Sequence, residues 1–304
     1  VLTPLISLEP RLTVPGLGKK TLMDWSQELP HHIPLWMGIL NITPDSFSDG
    51  GQYLDWKHIE PHVDEMIAAG VHIIDIGGES TRPGAQPLTD KEVWSRIGVV
   101  LKKIIKKTQG DSLRPLISVD TYHPAVARNA LELGVDMIND EGGLTSPDMI
   151  ALAKESGQDW VAMHQLTLPV DPTVTLNDDS PPGELIERWL IERLEHWQTA
   201  GLDLNRIIFD PGIGFGKNHL QSLEILRHAG DFRGYGLRTL IGHSRKSFMK
   251  SFLNNDEQEQ DLITVGASLN LCAQGVDIIR VHDVPLHAAA YRGWAHSVGK
   301  KTKT

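Results

Sequence analysis

Three stretches of this chain repeat one local pattern: Ala69-Gly70-Val71-His72-Ile73-Ile74-Asp75, Leu133-Gly134-Val135-Asp136-Met137-Ile138-Asn139 and Gln274-Gly275-Val276-Asp277-Ile278-Ile279-Arg280. Each leaves a helical stretch on a glycine, enters a branched apolar run and closes on a polar side chain. The glycine suits the left-handed position just past a helix end. The branched run suits a strand covered on both faces, as parallel strands are. The pattern is the αβ step of a βα repeat. Other apolar runs end in a polar or glycine-rich turn: 35–40 before Asn41, 116–119 before Asp120, 160–163 before His164, 207–209 before Asp210 and 240–241 before Gly242-His243-Ser244. Together these make eight strands. Stretches of helical period lie between most of them, at 56–69, 90–107, 124–133, 183–200, 261–274 and 284–298. Eight alternating strands and helices over about 250 residues predict an α/β chain folded as a (β/α)8 TIM barrel. The rival, a doubly wound open sheet, wants a glycine-rich dinucleotide turn after an early strand, and Gly212-Ile213-Gly214-Phe215-Gly216 has the wrong spacing and comes late.

Size and composition allow this. The 304 residues, 40% hydrophobic with 28 glycines, can bury a full core and exclude disordered or fibrous structure. A net charge of −10 argues against broad contact with nucleic acid or anionic membrane, so any phosphate site must be local. One cysteine, Cys272, excludes an intramolecular disulfide framework and a cysteine-based zinc cluster, and with no secretion signal or long apolar span the expected location is the cytoplasm. The barrel is expected over 31–299, with an N-terminal extension at 1–30, a frayed tail at 300–304 and a long proline-containing loop at 166–182.

In such a barrel the chemistry sits at the C-terminal ends of the strands. The polar residues there are Asn41, Asp75, Asp120, Asn139, His164, Asp210, Lys246, Arg280 and His282. Carboxylates and amides of this kind can read the donor and acceptor edge of a flat heterocycle, although any one strand-end acid can equally serve as a cap for the next helix. The turns Gly242-His243-Ser244-Arg245-Lys246-Ser247 and Arg280-Val281-His282-Asp283 follow strands 7 and 8, where barrels commonly bind phosphate. Arg245 suits a solvated position better than Lys246, since neighbours cannot face the same way. Loop 1, from Asn41 to Gly51, and loop 2, from Gly77 to Gly84, are longer than a barrel needs and read as two mobile lids after strands 1 and 2.

The same residues carry a family resemblance. Met37-Gly38-Ile39-Leu40-Asn41-Ile42-Thr43-Pro44-Asp45-Ser46-Phe47-Ser48-Asp49-Gly50-Gly51 resembles the first signature of dihydropteroate synthases, and Asp75-Ile76-Gly77-Gly78-Glu79-Ser80-Thr81-Arg82-Pro83-Gly84 the second. The likeness continues through Ser118-Val119-Asp120-Thr121, Ile138-Asn139-Asp140, Asp210 to Lys217, Ser244-Arg245-Lys246-Ser247 and Arg280-Val281-His282-Asp283, with His243 standing where an apolar or small residue is expected. The resemblance implies a transferase of folate biosynthesis that joins 6-hydroxymethyl-7,8-dihydropterin diphosphate to 4-aminobenzoate and is a target of sulfonamides. It implies that Asp120, Asn139, Asp210 and Lys246 bind the pterin edge, and that Arg280 stacks on the pterin and, with Asn41 and His282, holds the diphosphate. Mg2+ would bridge that diphosphate and Asn41. Asp45, Thr81, Arg82 and Pro83 would close over the second substrate, Phe215 and Lys246 would wall its ring, and Ser247, at a helix start, would receive its carboxylate.

The alternatives are a pterin-binding methyltransferase working on cobalamin and a noncatalytic pterin-binding barrel. Neither needs both anion-gripping turns together with Asp45 and Arg82. The resemblance also implies a homodimer through outer helices such as 261–274 or 284–298. Residues 1–22 resemble the C-terminal end of hydroxymethyldihydropterin pyrophosphokinase. With the start at Val1 and a linker-like Pro30-His31-His32-Ile33-Pro34, this gives the expectation of a covalently fused upstream kinase in a bifunctional enzyme.

Overall fold

The structure, a computed structural model, describes residues 33–43, 56–80, 86–110, 113–171, 173–252 and 257–298. Eight parallel strands close into a barrel in chain order, with the last paired to the first. They are β1 Leu35–Asn41, β2 Ile73–Gly77, β3 Leu116–Asp120, β4 Met137–Asp140, β5 Asp159–Met163, β6 Ile207–Asp210, β7 Arg238–Ile241 and β8 Ile278–Val281. The helices among the described residues are α1 Trp56–Ala68, α2 Asp90–Thr108, α3 Pro124–Glu132, α4 Pro147–Ser156, α5 Pro182–Ala200, α6 His219–Arg227, α7 Glu257–Gln274 and α8 Val284–Ser297.

All eight expected strands form, and the six expected helices appear with shifted ends. The helices α4 and α6 are not among the expected ones, although α6 opens on a reciprocal cap in which Asn218 and Gln221 each bond the other's backbone N–H at 2.9 Å. The proline-containing segment before α5 is a loop, as expected. The N-terminal extension, the tail and the linker residues before Ile33 lie outside the described residues.

The three sequence repeats share one geometry. Gly70, Gly134 and Gly275 adopt φ of 83°, 84° and 80°. Nothing within 4 Å would oppose a Cβ at Gly70 or Gly134, so glycine is there for its backbone angle and not for space. The next residue folds back to close the helix: Val71 N–H to Met66 O at 3.0 Å, Val135 to Ala130 at 3.4 Å and Val276 to Leu271 at 3.2 Å. The residue after that zips the N-terminal rim. His72 Nδ1 accepts the Trp36 N–H at 3.0 Å, Asp136 that of Ile117 at 2.8 Å and Asp277 that of Thr239 at 2.8 Å.

Side chains of a strand alternate between the lumen and the helices. Met37, Ile73, Met137, Val161, Ile208, Leu240 and Ile278 face one another inside and seal the floor. The alternate positions, such as Trp36, Ile74, Ile138 and Ile279, join the core under the helices. Two residues above the apolar floor, β2, β4, β6 and β8 turn polar with Asp75, Asn139, Asp210 and Arg280, while the matching positions on β1, on β5 and just past β7 are Ile39, Met163 and Gly242, and the site begins.

Candidate active site at the barrel mouth

Asp75, Asn139, Asp210 and Arg280 each stand two residues beyond a floor residue on their own strand, and Asp120 stands two beyond the buried Ser118. Asp75, expected just past its strand, lies inside β2, which runs on to Gly77. Across the sheet Asn41 pairs with Gly77, Gly77 with Asp120 and Asp120 with Asn139, which sets three polar side chains in one row with a glycine between the first two. Arg280 reaches into this row. Its Nε donates to Asp75 Oδ2 at 2.7 Å and its Nη2 to Asp120 Oδ2 at 2.7 Å, while Asn139 Nδ2 donates to the same Asp75 oxygen at 3.0 Å. Burial and the nearby Glu141 push Asp120 well above the usual carboxylate range, against the pull of Arg280. Arg280 is raised, because Asp75 and Asp120 outweigh the burial that opposes its charge.

On the other side of the mouth the glycine run after β6 builds a wall. Gly212, Gly214 and Gly216 all have positive φ, and a Cβ on Gly212 would collide with the His164 carbonyl. Asp210 Oδ1 accepts the Gly212 N–H at 2.7 Å; burial raises this carboxyl and Lys246 opposes the rise. The Lys246 ammonium lies 4.2 Å from the centroid of the Phe215 ring and donates to the Ile213 carbonyl. Burial lowers it to about 8 against the attraction of Asp210. Its neighbour Arg245 turns outward into a two-pronged pair with Asp261 at 2.8 Å, the division of faces expected from sequence. Ser244 Oγ and His282 Nδ1 lie 2.9 Å apart, joining the turns after β7 and β8. Ser247 is exposed and opens a 3-10 turn, Ser247–Phe252; the expected helix start is therefore this tighter turn and not an α-helix. His243 is fully buried, with Nε2 3.0 Å from Ser268 Oγ and 3.2 Å from Thr264 O.

Residues 37–282 match the family described as pterin binding enzyme. Dihydropteroate synthase of Escherichia coli is 36% identical over 267 residues, which are 88% of this chain and 92% of that protein. The chain belongs to the dihydropteroate synthases. Their Xanthomonas albilineans member, solved with 4-aminobenzoic acid, is 32% identical and superposes with a TM-score of 0.79 over 88% of this chain and 94% of its own. A probable bifunctional folylpolyglutamate synthase/dihydropteroate synthase of Haloferax volcanii is 39% identical over 84% of this chain. The chain spans 29%, 30% and 59% of the lengths of the first three curated relatives it matches.

Within this dihydropteroate synthase barrel, Asn41, Asp120, Asn139, Asp210, Phe215, Lys246, Arg280 and His282 are strand-end or adjoining turn residues of one mouth, as sequence placed them. Asp45, Thr81, Arg82 and Pro83 lie outside the described residues. Two positions had no assigned role. Lys217 is 7% exposed and donates to His164 Nδ1 at 2.7 Å, His164 O at 3.0 Å and Phe215 O at 2.8 Å. Burial drives it well below the usual lysine range, and burial with the Lys217 charge lowers His164 to about 2. Glu79 ties the base of loop 2, accepting from Leu88 N–H at 2.9 Å and Tyr122 O–H at 3.0 Å. In sequence both looked like ordinary charged residues inside a motif; only the partners reveal what they hold.

Proposed function

We propose that this barrel condenses 6-hydroxymethyl-7,8-dihydropterin diphosphate with 4-aminobenzoate, giving 7,8-dihydropteroate and diphosphate. The observation that carries the reading is the polar layer over a sealed apolar floor, in which Asp120, Asn139 and Asp210 converge with two cations, Arg280 and Lys246. In this reading the Asp120 carboxylate and the Asn139 amide, adjacent in register, meet the pterin edge together with Asp210. The bond between the pterin methylene and the diphosphate oxygen breaks, and its electron pair leaves with the diphosphate. The methylene cation delocalises into the ring, where Asp120 and Asp210 offset its charge. The amine lone pair then forms the new C–N bond, and the nitrogen releases a proton to solvent or to the departing diphosphate.

Arg280, Asn41 and His282 hold the leaving diphosphate. Phe215 and the Lys246 stem wall the aromatic ring, Ser247 receives its carboxylate, and Asp45, Thr81, Arg82 and Pro83 close over it. The 4-aminobenzoic acid bound by the Xanthomonas relative supports this second substrate. No group of three or more His, Cys, Asp or Glu among the described residues is disposed to hold a metal. The Asn41 Oδ1, beside Gly77 and opposite Asp120, offers one hard oxygen. Asn41 would hold Mg2+ by this oxygen, and the bound ion would supply charge neutralisation to the leaving diphosphate.

The test is incubation with the pterin diphosphate and labelled 4-aminobenzoate, with and without Mg2+. Labelled dihydropteroate that depends on both substrates is the expected result; folded protein that makes none overturns the reading. Three further parts of the reading are a homodimer through the outer helices, residence in the cytoplasm and an upstream covalently fused pyrophosphokinase. A buried free Cys272 suits a reducing compartment, and no helix among the described residues is long and apolar enough to cross a membrane. Bifunctional relatives support fusion to a second enzyme, although the partner in the Haloferax volcanii relative is a folylpolyglutamate synthase and not a pyrophosphokinase; the coding sequence upstream of Val1 tests the kinase.

A further inference from the structure

Asp75 is fully buried in the barrel lumen, and its two oxygens are used unequally. Oδ2 accepts from both Arg280 Nε at 2.7 Å and Asn139 Nδ2 at 3.0 Å. Oδ1 is buried and takes no hydrogen bond among the described residues. A buried carboxylate oxygen without a donor is costly, and a fold that keeps one has a use for it or strains against it. The donor that could satisfy it is close at hand. Nε and Nη2 form one edge of the guanidinium, a fork that matches the two oxygens of a single carboxylate. Here the fork is split: Nε rests on Asp75, while Nη2 rests 2.7 Å from Asp120 Oδ2.

We propose that Asp75 is a positioning residue that receives Arg280 from Asp120 when the pterin binds. The proposal rests on the reading above, in which the pterin edge uses Asp120. In the unliganded mouth Arg280 satisfies Asp120 and keeps its carboxylate paired. A pterin N–H then claims Asp120 Oδ2; Nη2 leaves it and turns onto Asp75 Oδ1, while Nε stays where it is. The hand-over exchanges one charge-assisted bond for another, so Asp120 is released without leaving a buried guanidinium unpaired. Asn139, held by the same Asp75 oxygen, keeps its amide in the row beside Asp120 throughout. Arg280 swings about a fixed Nε contact and remains over the pocket.

Without Asp75 the guanidinium has Asp120 as its one hydrogen-bonded carboxyl group, and the pterin must compete with it for Asp120 Oδ2. Asp75→Ala is therefore expected to weaken binding of the pterin diphosphate, measured by calorimetry, by about tenfold or more. Asp75→Asn keeps the shape and one acceptor but sets an N–H₂ where Oδ1 stood, so it is expected to lose affinity in the same direction, and it serves if the alanine variant does not fold. The deciding measurement repeats both changes in an Arg280→Ala background. A hand-over predicts that the loss caused by either Asp75 change is then several-fold smaller, what remains acting through Asn139; an Asp75 that acts only through Asn139 or the fold would weaken binding equally in both backgrounds. Unchanged pterin affinity in folded Asp75 variants, or losses that add, overturn the proposal. If the wild-type protein binds no pterin diphosphate, the functional reading of the mouth falls first, and the hand-over falls with it.

Discussion

At the residue scale, burial sets the direction for Asp120, Asp210 and Lys246 at the mouth, while at Arg280 the neighbouring carboxylates prevail over it. Lys246 is the clearest functional case, lowered to about 8 by burial although Asp210 pulls the other way. A lysine carries its charge below its pKa and loses it above. The free-enzyme kcat/KM for the pterin diphosphate is expected to decline above about pH 8, and Lys246→Arg, which stays charged, should remove that decline while Lys246→Ala depresses the whole profile. A wild-type profile flat to pH 10 would deny Lys246 its role. His243 is the matching case for stability, because burial lowers it to about 3. Its folded pKa lies below the unfolded value, so the stability it contributes is complete above about pH 6.5 and is lost as pH falls from there toward 3. Asp140 and Asp210, raised by burial, act in the opposite sense over part of that range, so the useful quantity is a difference. His243→Leu is expected to remove about 2 kcal/mol of the loss in unfolding free energy between pH 7 and 5, checked by denaturant unfolding at those two pH values.

At the scale of elements, two kinds of junction hold the barrel, and they fail differently. The N-terminal rim is zipped by side chains that reach back to a neighbouring strand. Asp136 accepts from Ile117 N–H and from both arms of Arg114, at 2.8, 2.7 and 2.8 Å. Asp136→Ala leaves those donors short and is expected to cost about 1–3 kcal/mol by denaturant unfolding with substrate KM unchanged, since the rim lies at the opposite end of the barrel from the mouth. At the C-terminal end, Lys217 and Lys246 grip alternate carbonyls of one glycine run, Phe215 and Ile213. Lys217→Met removes one grip and is expected to cost a similar amount of stability while also raising the KM for 4-aminobenzoate more than it weakens pterin binding, because the ring of Phe215 loses its support. Equal changes for both substrates would show that the run is not part of the second site.

At the scale of the whole molecule, α7 carries one of several large apolar side chains that the outer helices leave exposed. Leu262 is 61% exposed there, with Gly266 and Ala273 also exposed along the helix. The proposed homodimer would cover that face. Sedimentation at micromolar protein is expected to give a dimer, and Leu262→Glu a monomer with unchanged secondary structure; a wild-type monomer would remove this part of the reading.

The amino-acid sequence by itself determined the repeat. A left-handed glycine, a branched run and a polar end are local requirements of a helix stop and a buried strand, so Gly70, Gly134 and Gly275 could be read without any partner in view. Eight such strands leave a closed parallel barrel as the economical way to cover both faces, and the mouth follows from chain direction. While Asp45, Thr81, Arg82 and Pro83 lie outside the described residues, local sequence also placed Asn41, Asp120, Asn139, Asp210, Lys246, Arg280 and His282 at strand ends or in the turns that follow. Tertiary structure alone decided which of them hold one another. Arg280 bonds Asp75 across 205 residues and Asp120 across 160, and Lys217 bonds His164 across 53. Hydrogen bonds of that span depend on where closure of the barrel sets the strands, and on the two-residue alternation that turns each side chain inward at a common height. No window of sequence contains those distances, so the carboxylate that anchors the arginine and the lysine that props the wall could be seen as residues but not as partners.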